Sequence, residues 1–375
     1  NNFYVVNANV TYKKNVFEII SGLSYSSYEG DHFGEVIWGN NLAANTNIRD
    51  RYYDGDATKN DFSIFSKATF KLTKKVTGFV DLQGRFVSYK TNGINSNLTE
   101  FVTDANFSFF NPKIGLTYKH CDFNSFYGSF ARANREPNRD DFKAGVTENE
   151  TLNDIELGWR YNSKKASVNT NIYYMFYRNQ LVLTGELDDV GSPIRATSGK
   201  SYRLGLEVDA NIQFSKVFST STNVALSSNK NQDFSSSING EVVDLGNTNI
   251  SFSPELVIGN ALNFIPAERL QLSLLSKYVG EQYMGNIDNK ASKLSSYFVN
   301  DFNVNYTIKT NSLFKSIVLS GLVNNIFNKK YVSNGYFGAF DFDDSSSATG
   351  ITTGYFAGYY PQATTNFLLG ATLKF

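Results

Sequence analysis

The chain has 375 residues, of which 41% are hydrophobic, 15% aromatic and 19% charged, and its Lys and Arg residues equal its Asp and Glu residues in number. A net charge of zero gives no sign of a nucleic-acid partner, and a single cysteine excludes an internal disulfide. No apolar run is long enough for a transmembrane helix, and two histidines are few for a zinc site or a serine hydrolase.

Segments in which apolar and polar residues alternate recur along the whole chain. Such alternation predicts strands, because successive side chains point to opposite faces, and the 32 Phe and 23 Tyr residues favour strands as well. We count fifteen such segments, and a strand that crosses a membrane as part of a barrel needs only about ten alternating residues. They lie at residues 4–12, 17–25, 62–72, 80–86, 114–118, 126–130, 155–161, 168–176, 204–212, 218–226, just before Pro266, 270–278, 302–308, 317–323 and 366–375.

Short and long connections alternate between these segments. Short turns are expected at residues such as 13–15, 74–75, 120–122 and 309–311, and long loops at 29–61, 90–109, 135–150, 178–200, 229–249, 280–296 and 328–363. Outer-membrane barrels sort their connections in this way, with short periplasmic turns and long extracellular loops, whereas soluble sandwiches do not. The sequence therefore predicts an all-β fold, a transmembrane antiparallel β-barrel.

Charged residues occupy the polar face of several predicted strands. In a hydrated lumen they can form pairs across strands or contact water, whereas burial without a partner would be costly. We expect a structural role for most of them. They are Asp81, Arg85, Asp154, Glu156, Arg160, Arg203, Glu207, Asp209 and Asp301.

Several stretches from about residue 110 onward resemble the barrel of TonB-dependent outer-membrane receptors, especially those of Bacteroidetes-type bacteria. They include NPKIGLTYKH at 111–120, FYGSFARANREPNRDDF at 126–142 and SYRLGLEVDA at 201–210. LVNNIFNKKYVSNGY at 322–336 continues the series, which covers the chain from about residue 110 to its end. The resemblance implies a barrel of about 22 strands, filled by an N-terminal plug domain and energised through TonB.

Nothing in the sequence resembles the plug or the TonB-contacting segment, and the N-terminal residues do not form a signal peptide. We therefore expect residues 1–375 to form a single partial barrel domain, the C-terminal portion of a receptor. About seven strands and the plug would lie upstream. An odd number of antiparallel strands cannot close a barrel by itself, so we do not expect these residues to form a closed barrel alone.

The resemblance implies TonB-dependent transport across the outer membrane, with binding and gated passage instead of enzymatic chemistry. Our first choice of cargo is a ferric siderophore or another iron complex. The alternatives are a cobalamin or glycan receptor, a passive porin-like channel, an outer-membrane hydrolase that would use His32, and a structural partner in a larger complex. The implied partners are outer-membrane lipid and lipopolysaccharide, the TonB complex, the barrel-assembly machinery and a small-molecule ligand, with no nucleic acid, cofactor or metal.

Two loops supply the candidate ligand-binding residues, because aromatic faces and guanidinium groups suit catecholate, sugar or porphyrin ligands. The alternative is that these aromatic residues pack the loops against each other. Asp341, Asp343 and Asp344 could bind calcium, but we favour solvated carboxylates because no calcium-binding loop surrounds them. The candidates are Trp38, Arg49, Arg51, Tyr52 and Tyr53 in residues 29–61, and Tyr336, Phe340, Tyr355 and Tyr359 in residues 331–360.

The last strand ends on an aromatic residue, as the assembly signal of outer-membrane barrels does in the family that the chain resembles. Phe367, Leu369, Leu373 and Phe375 form its apolar face together with an alanine. Period-two alternation predicts that this face contacts lipid, while Thr372 and Lys374 on the other face point toward the lumen.

Overall fold

A computed structural model describes residues 1–41, 45–94, 99–187, 193–310 and 313–375 of the chain. The described residues form strands almost throughout, with one short α-helix and one 3-10 helix. No helix among them is long and apolar enough to cross a membrane.

The strands of the first part of the chain follow one another with only one helix among them. In chain order they are β1 (Asn2–Lys14), β2 (Phe17–Glu35), β3 (Arg51–Lys71), β4 (Val76–Ile94), β5 (Glu100–Phe110), β6 (Lys113–Lys119), β7 (Asn124–Arg135), α1 (Arg139–Lys143), β8 (Glu150–Asn162) and β9 (Ala166–Arg178).

Further strands follow, several of them within the long connections. They are β10 (Leu181–Leu187), β11 (Pro193–Thr197), β12 (Lys200–Gln213), β13 (Phe218–Gln232), β14 (Ser235–Ile238), β15 (Glu241–Asp244), β16 (Thr248–Asn249), β17 (Leu256–Ala267), β18 (Leu270–Val279), β19 (Gln282–Tyr283), a 3-10 helix (Lys290–Ser292), β20 (Lys293–Leu294), β21 (Tyr297–Lys309), β22 (Ser316–Asn324), β23 (Val332–Asp343), β24 (Ile351–Pro361) and β25 (Asn366–Lys374).

Seventeen of the described strands belong to one sheet, and all of its pairings for which a register is defined are antiparallel. β5 and β6 both pair with β4 and are separated only at Asn111 and Pro112, where proline can donate no ladder hydrogen bond. β16 and β17 likewise both pair with β13. If each of these couples is counted as one interrupted strand, the described sheet has fifteen strands, and the predicted all-β, antiparallel fold is confirmed.

Several predicted loops were wrong in part, because strands continue beyond the length that a membrane requires. Residues 90–109 were predicted as a loop, yet β4 continues to Ile94 and β5 begins at Glu100. The long connections also contain hairpins of their own, formed by β10 with β11, β14 with β15 and β23 with β24. Residues 42–44, 95–98, 188–192 and 311–312 of the predicted connections lie outside the described residues.

The sheet of the first part has one apolar face and one polar face, as the alternation predicts. On the apolar face Tyr25, Phe62 and Phe86 lie side by side on β2, β3 and β4 and are 41%, 37% and 48% exposed. On the polar face Arg85 of β4 donates hydrogen bonds to Asp61 of β3, the predicted pairing of charges across strands. A broad exposed apolar surface is typical of a protein that contacts a membrane.

Glycines opposite large aromatic rings set the close contacts between neighbouring strands. A Cβ at Gly158 would collide with the ring of Tyr127, and a Cβ at Gly205 would collide with the hydroxyl end of Tyr173. Arg160 lies 4.1 Å from the Tyr127 ring centroid, so an aromatic face contacts this predicted lumenal charge. These tyrosines cover glycine backbone that would otherwise be exposed.

The chain separates into two compact units. The first unit contains residues 1–116 and 129–153, and the second contains residues 117–128 and 154–375. Ala57, Tyr89 and Phe142 form the buried cluster of the first unit, and Met284, Leu294 and Phe337 form that of the second. That residues 1–375 make up a single partial barrel domain stays a prediction.

Candidate functional site

A pocket of about 500 Å³ opens among the loop segments of the second unit. This volume lies within the range of small-ligand sites, which combine apolar walls with a few converging polar groups. Leu183, Leu187 and Phe252 supply the apolar wall. The polar lining consists of Glu186, Gln282, Ser333, Asn334 and Tyr360.

Glycine backbone forms part of this pocket, and the buried Met284 holds it in place. Gly185 has a φ of +97°, and a Cβ there would lie 2.8 Å from the Met284 carbonyl and 2.9 Å from that of Phe337. A Cβ at Gly335 would lie 2.6 Å from the Met284 sulfur, and Met284 itself is 0% exposed. Larger residues at either glycine would displace this floor.

A network of hydrogen bonds to Ser251 and Asn286 holds strand β10 at the pocket. The Leu183 carbonyl accepts hydrogen bonds from the Ser251 hydroxyl at 2.7 Å and from the Asn286 amide at 2.7 Å. The Asn286 side-chain oxygen accepts the backbone N–H of Ser251 at 2.9 Å. Because these groups are buried and satisfied, the pocket wall is held in one conformation without a ligand.

Most of the predicted aromatic residues in 331–360 pack within the β23–β24 hairpin or against its neighbours. Tyr336 and Phe340 both lie against Phe356, at centroid distances of 6.4 and 6.3 Å. Tyr355 stacks on the buried Phe337 at 5.7 Å, and the Tyr359 hydroxyl donates to the Ala291 carbonyl at 3.0 Å. Their binding role stays a prediction, and Tyr360 is the aromatic residue of this hairpin that lines the pocket.

The β23–β24 hairpin is also joined to the β14–β15 hairpin. Asn239 at the tip of the latter donates its N–H to the Thr353 hydroxyl at 2.6 Å and accepts the Thr353 N–H at 2.8 Å. The Thr349 hydroxyl donates to the Asn239 carbonyl at 2.7 Å. Asn239 takes a φ of +54°, which asparagine tolerates at a turn. The two hairpins therefore present one connected surface.

The predicted binding residues of 29–61 lie in or beside the ends of β2 and β3. Arg51 forms an ion pair with Asp54 at 2.8 Å, and its guanidinium lies 4.1 Å from the Phe33 ring centroid. Tyr52 and Tyr53 meet edge to face at 5.1 Å. Trp38 is 80% exposed, and Arg49 is an exposed turn residue with a φ of +70°. The structure thus brings the rings of Tyr52 and Tyr53 together, places Arg51 against Asp54 and Phe33, and leaves Trp38 exposed to solvent.

A loop of the first unit folds onto the polar face of its own sheet, and Glu136 anchors it. The Glu136 carboxylate accepts hydrogen bonds from Lys59 Nζ at 2.7 Å and from both terminal nitrogens of Arg85 at 2.8 Å. Burial opposes ionisation of this carboxyl, but the hydrogen bonds from Arg85 and Lys59 outweigh burial and hold the pKa of Glu136 below its usual range. Sequence reasoning placed Glu136 at the start of a loop and missed this contact.

Helix α1 follows directly and completes the inward fold of that loop. Asn138 caps it in a reciprocal pair with Asp141, at 2.8 and 2.9 Å. Phe142 stacks on Tyr89 of β4 at 5.4 Å. Arg139 lies 5.2 Å from the Phe101 ring centroid, and its Nε and one terminal nitrogen are buried with no hydrogen-bond partner among the residues that the structure describes.

The described residues offer no cluster that could hold a metal ion. No group of three or more His, Cys, Asp or Glu side chains among them is placed to hold a metal ion. His32, the candidate of the hydrolase alternative, has its Nε2 atom 3.1 Å from the Tyr28 hydroxyl. Asp344 is held by Ser346 and Thr352, whose hydrogen bonds lower the pKa of its carboxyl.

The residues of the predicted assembly signal lie on β25 and at its end. Phe367, Leu369, Leu373 and Phe375 are 74%, 82%, 45% and 71% exposed. All nine residues of β25 are exposed, so burial does not distinguish its two faces. Phe375 packs edge to face on Phe314, with ring centroids 4.9 Å apart. The assembly role and the facing of this strand stay predictions.

A family model described as "TonB dependent receptor-like, beta-barrel" matches residues 1–326. No curated protein matches the chain.

Many solved structures resemble the chain in fold, and three of them serve as examples. The ferric-catecholate import receptor Fiu of E. coli K12, in its closed form, has a TM-score of 0.66 and 14% identity over 98% of this chain and 54% of its own. The ferric yersiniabactin uptake receptor FyuA of Yersinia pestis has a TM-score of 0.66 and 16% identity over 100% of this chain and 54% of its own. The copper transporter OprC has a TM-score of 0.71 and 15% identity over 98% of this chain and 56% of its own. The chain therefore spans about half the length of each.

Proposed function

Because this chain belongs to the TonB dependent receptor-like β-barrel family, we propose that it forms part of an outer-membrane receptor that imports a ferric siderophore or another iron complex. The family match over residues 1–326 carries this proposal. The matched family model describes a receptor-like β-barrel, which supports a role in binding and transport. The exposed apolar face supports a location in the outer membrane, in contact with lipid and lipopolysaccharide.

The cargo is proposed from the names of proteins with the same fold. Two of the similar structures are named for ferric complexes and one for copper. Sequence identity of 14–16% makes them evidence of fold, so the cargo of this chain needs its own test. In the proposed mechanism the outer loops and the pocket of the second unit bind the ligand. A plug domain, encoded by other residues of the receptor and driven through TonB, then gates passage. The barrel-assembly machinery would insert the protein.

A passive channel is the second candidate, because one observation favours it. A porin-like channel is expected to contain a loop folded toward its interior, and the loop of Glu136 and α1 lies on the polar face of the sheet. A channel of this kind would pass small solutes without TonB and without a saturable ligand site.

The test is growth of a strain of the source organism that lacks this gene. The strain is supplied with one limiting nutrient at a time, as ferric complexes, cobalamin or glycans. We expect a growth defect only when an iron complex is limiting, and restored growth when the gene is returned. A growth defect only on cobalamin or only on a glycan would assign that nutrient as the cargo in place of an iron complex. Slower uptake of small sugars and amino acids alone would favour the passive channel.

A further inference from the structure

The pocket of the second unit has an unusual charge for a site that would take a siderophore. Glu186 is the only charged residue among the described residues that line it, and its carboxylate accepts the backbone N–H of Ala339 at 3.4 Å. The other polar groups are the uncharged side chains of Gln282, Ser333, Asn334 and Tyr360. No lysine or arginine is among the described residues that line the pocket, so none of them offers a cation to bind an anion.

The β23–β24 hairpin, which supplies Ser333, Asn334 and Tyr360 to the pocket, carries carboxylates toward its tip. The β14–β15 hairpin contains Glu241 and Asp244, and the segment from β23 to β24 contains Asp341, Asp343 and Asp344. Residues 235–244 and 332–361 include no lysine or arginine. Because Asn239 joins the two hairpins through Thr353, these carboxylates belong to one connected surface. The carboxylates on these two hairpins attract ligands of the opposite sign and slow the approach of like-charged ones.

Iron chelates differ in the charge that they present. A ferric complex of three catecholates is polyanionic, whereas a ferric trihydroxamate is uncharged unless its backbone carries an additional ammonium group. A single carboxylate in a partly buried pocket repels the first class, because the described residues that line the pocket include no lysine or arginine to offset it. Amide and hydroxyl groups can still form hydrogen bonds with hydroxamate oxygens, and Phe252 and Tyr360 can contact the chelate backbone.

We propose that the pocket of the second unit binds iron complexes through an uncharged or positively charged face, as hydroxamate siderophores present, and discriminates against polyanionic catecholate complexes. This inference rests on the proposed import of iron complexes. The negative charge of Glu186 disfavours anionic complexes, and the amide and hydroxyl groups form hydrogen bonds with the ligand.

The experiment measures binding to the full purified receptor in detergent by quenching of its intrinsic fluorescence. The probes are ferrioxamine B, which carries a free ammonium group, uncharged ferrichrome and polyanionic ferric enterobactin. We expect the two hydroxamates to bind about tenfold more tightly than ferric enterobactin, a difference of about 1.4 kcal/mol. Glu186→Gln should weaken ferrioxamine B about fivefold and change ferrichrome less than about twofold. Glu268→Gln, at the short turn between β17 and β18, is the matched control and should change none.

Equal or tighter binding of ferric enterobactin would overturn the inference, as would absence of measurable binding of both hydroxamates. A Glu186→Gln variant that weakens all three probes equally would also overturn it, because that result indicates a general disturbance of the pocket. These outcomes are separate from the proposed function. If the gene supports growth on catecholate iron alone, the role in iron import stands and only the proposed selectivity fails. If deletion of the gene changes growth on no iron complex, the proposed function itself fails.

Discussion

Removal of the Glu136 carboxylate should release the inward-folded loop of the first unit. Glu136→Ala deletes three charge-assisted hydrogen bonds of 2.7–2.8 Å from a side chain that is 6% exposed. Breaking a fully buried pair costs about 3–5 kcal/mol. Arg85 keeps Asp61 as a partner, and the side chains of Arg85 and Lys59 are 23% and 34% exposed, so we expect about 2–3 kcal/mol here.

The assay is urea unfolding of the full protein folded in detergent micelles, followed by tyrosine and tryptophan fluorescence. Asp104→Asn is the matched control, because its ion pair with Lys90 is exposed, at 55% and 64%, and should contribute less than about 1 kcal/mol. Equal unfolding midpoints for Glu136→Ala and Asp104→Asn would refute the reasoning that burial makes the Glu136 contact strong.

The same anchor predicts a dependence on pH. Since the pKa of Glu136 is lower in the folded protein than in the unfolded chain, its stabilisation is complete above the unfolded pKa of about 4.3. That stabilisation is lost as the pH falls through the lower, folded pKa. The wild-type protein should therefore lose more stability than Glu136→Gln between neutral pH and pH values below about 4. Parallel losses for the two proteins would contradict this assignment.

Three further changes test other parts of the structure. Gly185→Ala should cost about 1–3 kcal/mol more than Gly145→Ala in the same urea assay, because both glycines have positive φ but only Gly185 faces crowded backbone; equal costs would argue against a rigid pocket floor. Leu369→Arg should destabilise the protein by about 2–4 kcal/mol in lipid bilayers while Thr372→Arg should not, and the reverse order would place the lumen on the other face of β25. Deletion of Phe375 should lower the amount of receptor at the cell surface, measured by labelling of intact cells, whereas an unchanged amount would remove its role as an assembly signal.

The strands could be predicted because their signal is local. Alternation at Tyr25, Phe62 and Phe86 identifies strands and their apolar face without knowledge of the neighbours. The extent of the strands could not be predicted, because β4 and β5 continue with polar residues such as Thr91 and Thr103 that are also common in loops. Pairing with a neighbouring strand, and not the side chain, keeps these residues extended.

The site was less predictable, because it depends on contacts between distant residues. The sequence identified 331–360 as an aromatic loop but could not distinguish Tyr360, which lines the pocket, from Tyr355, which stacks on Phe337. Glu186 carried no signal of its own, since a single glutamate in a loop is usually solvated. The contact of Glu136 with Arg85 joins residues 51 positions apart and follows only from the strand register. Pro137 next to this glutamate is buried as well, and the sequence alone does not reveal its burial.

Uptake of radioactive iron by intact cells tests the central claim most directly. The assay compares cells with and without this gene, supplied with a ferric hydroxamate, before and after collapse of the proton gradient that energises TonB. We predict saturable uptake that requires both the gene and the gradient. Uptake that is unchanged when the gene is deleted, or that continues undiminished after the gradient has collapsed, would contradict a TonB-dependent role in iron import.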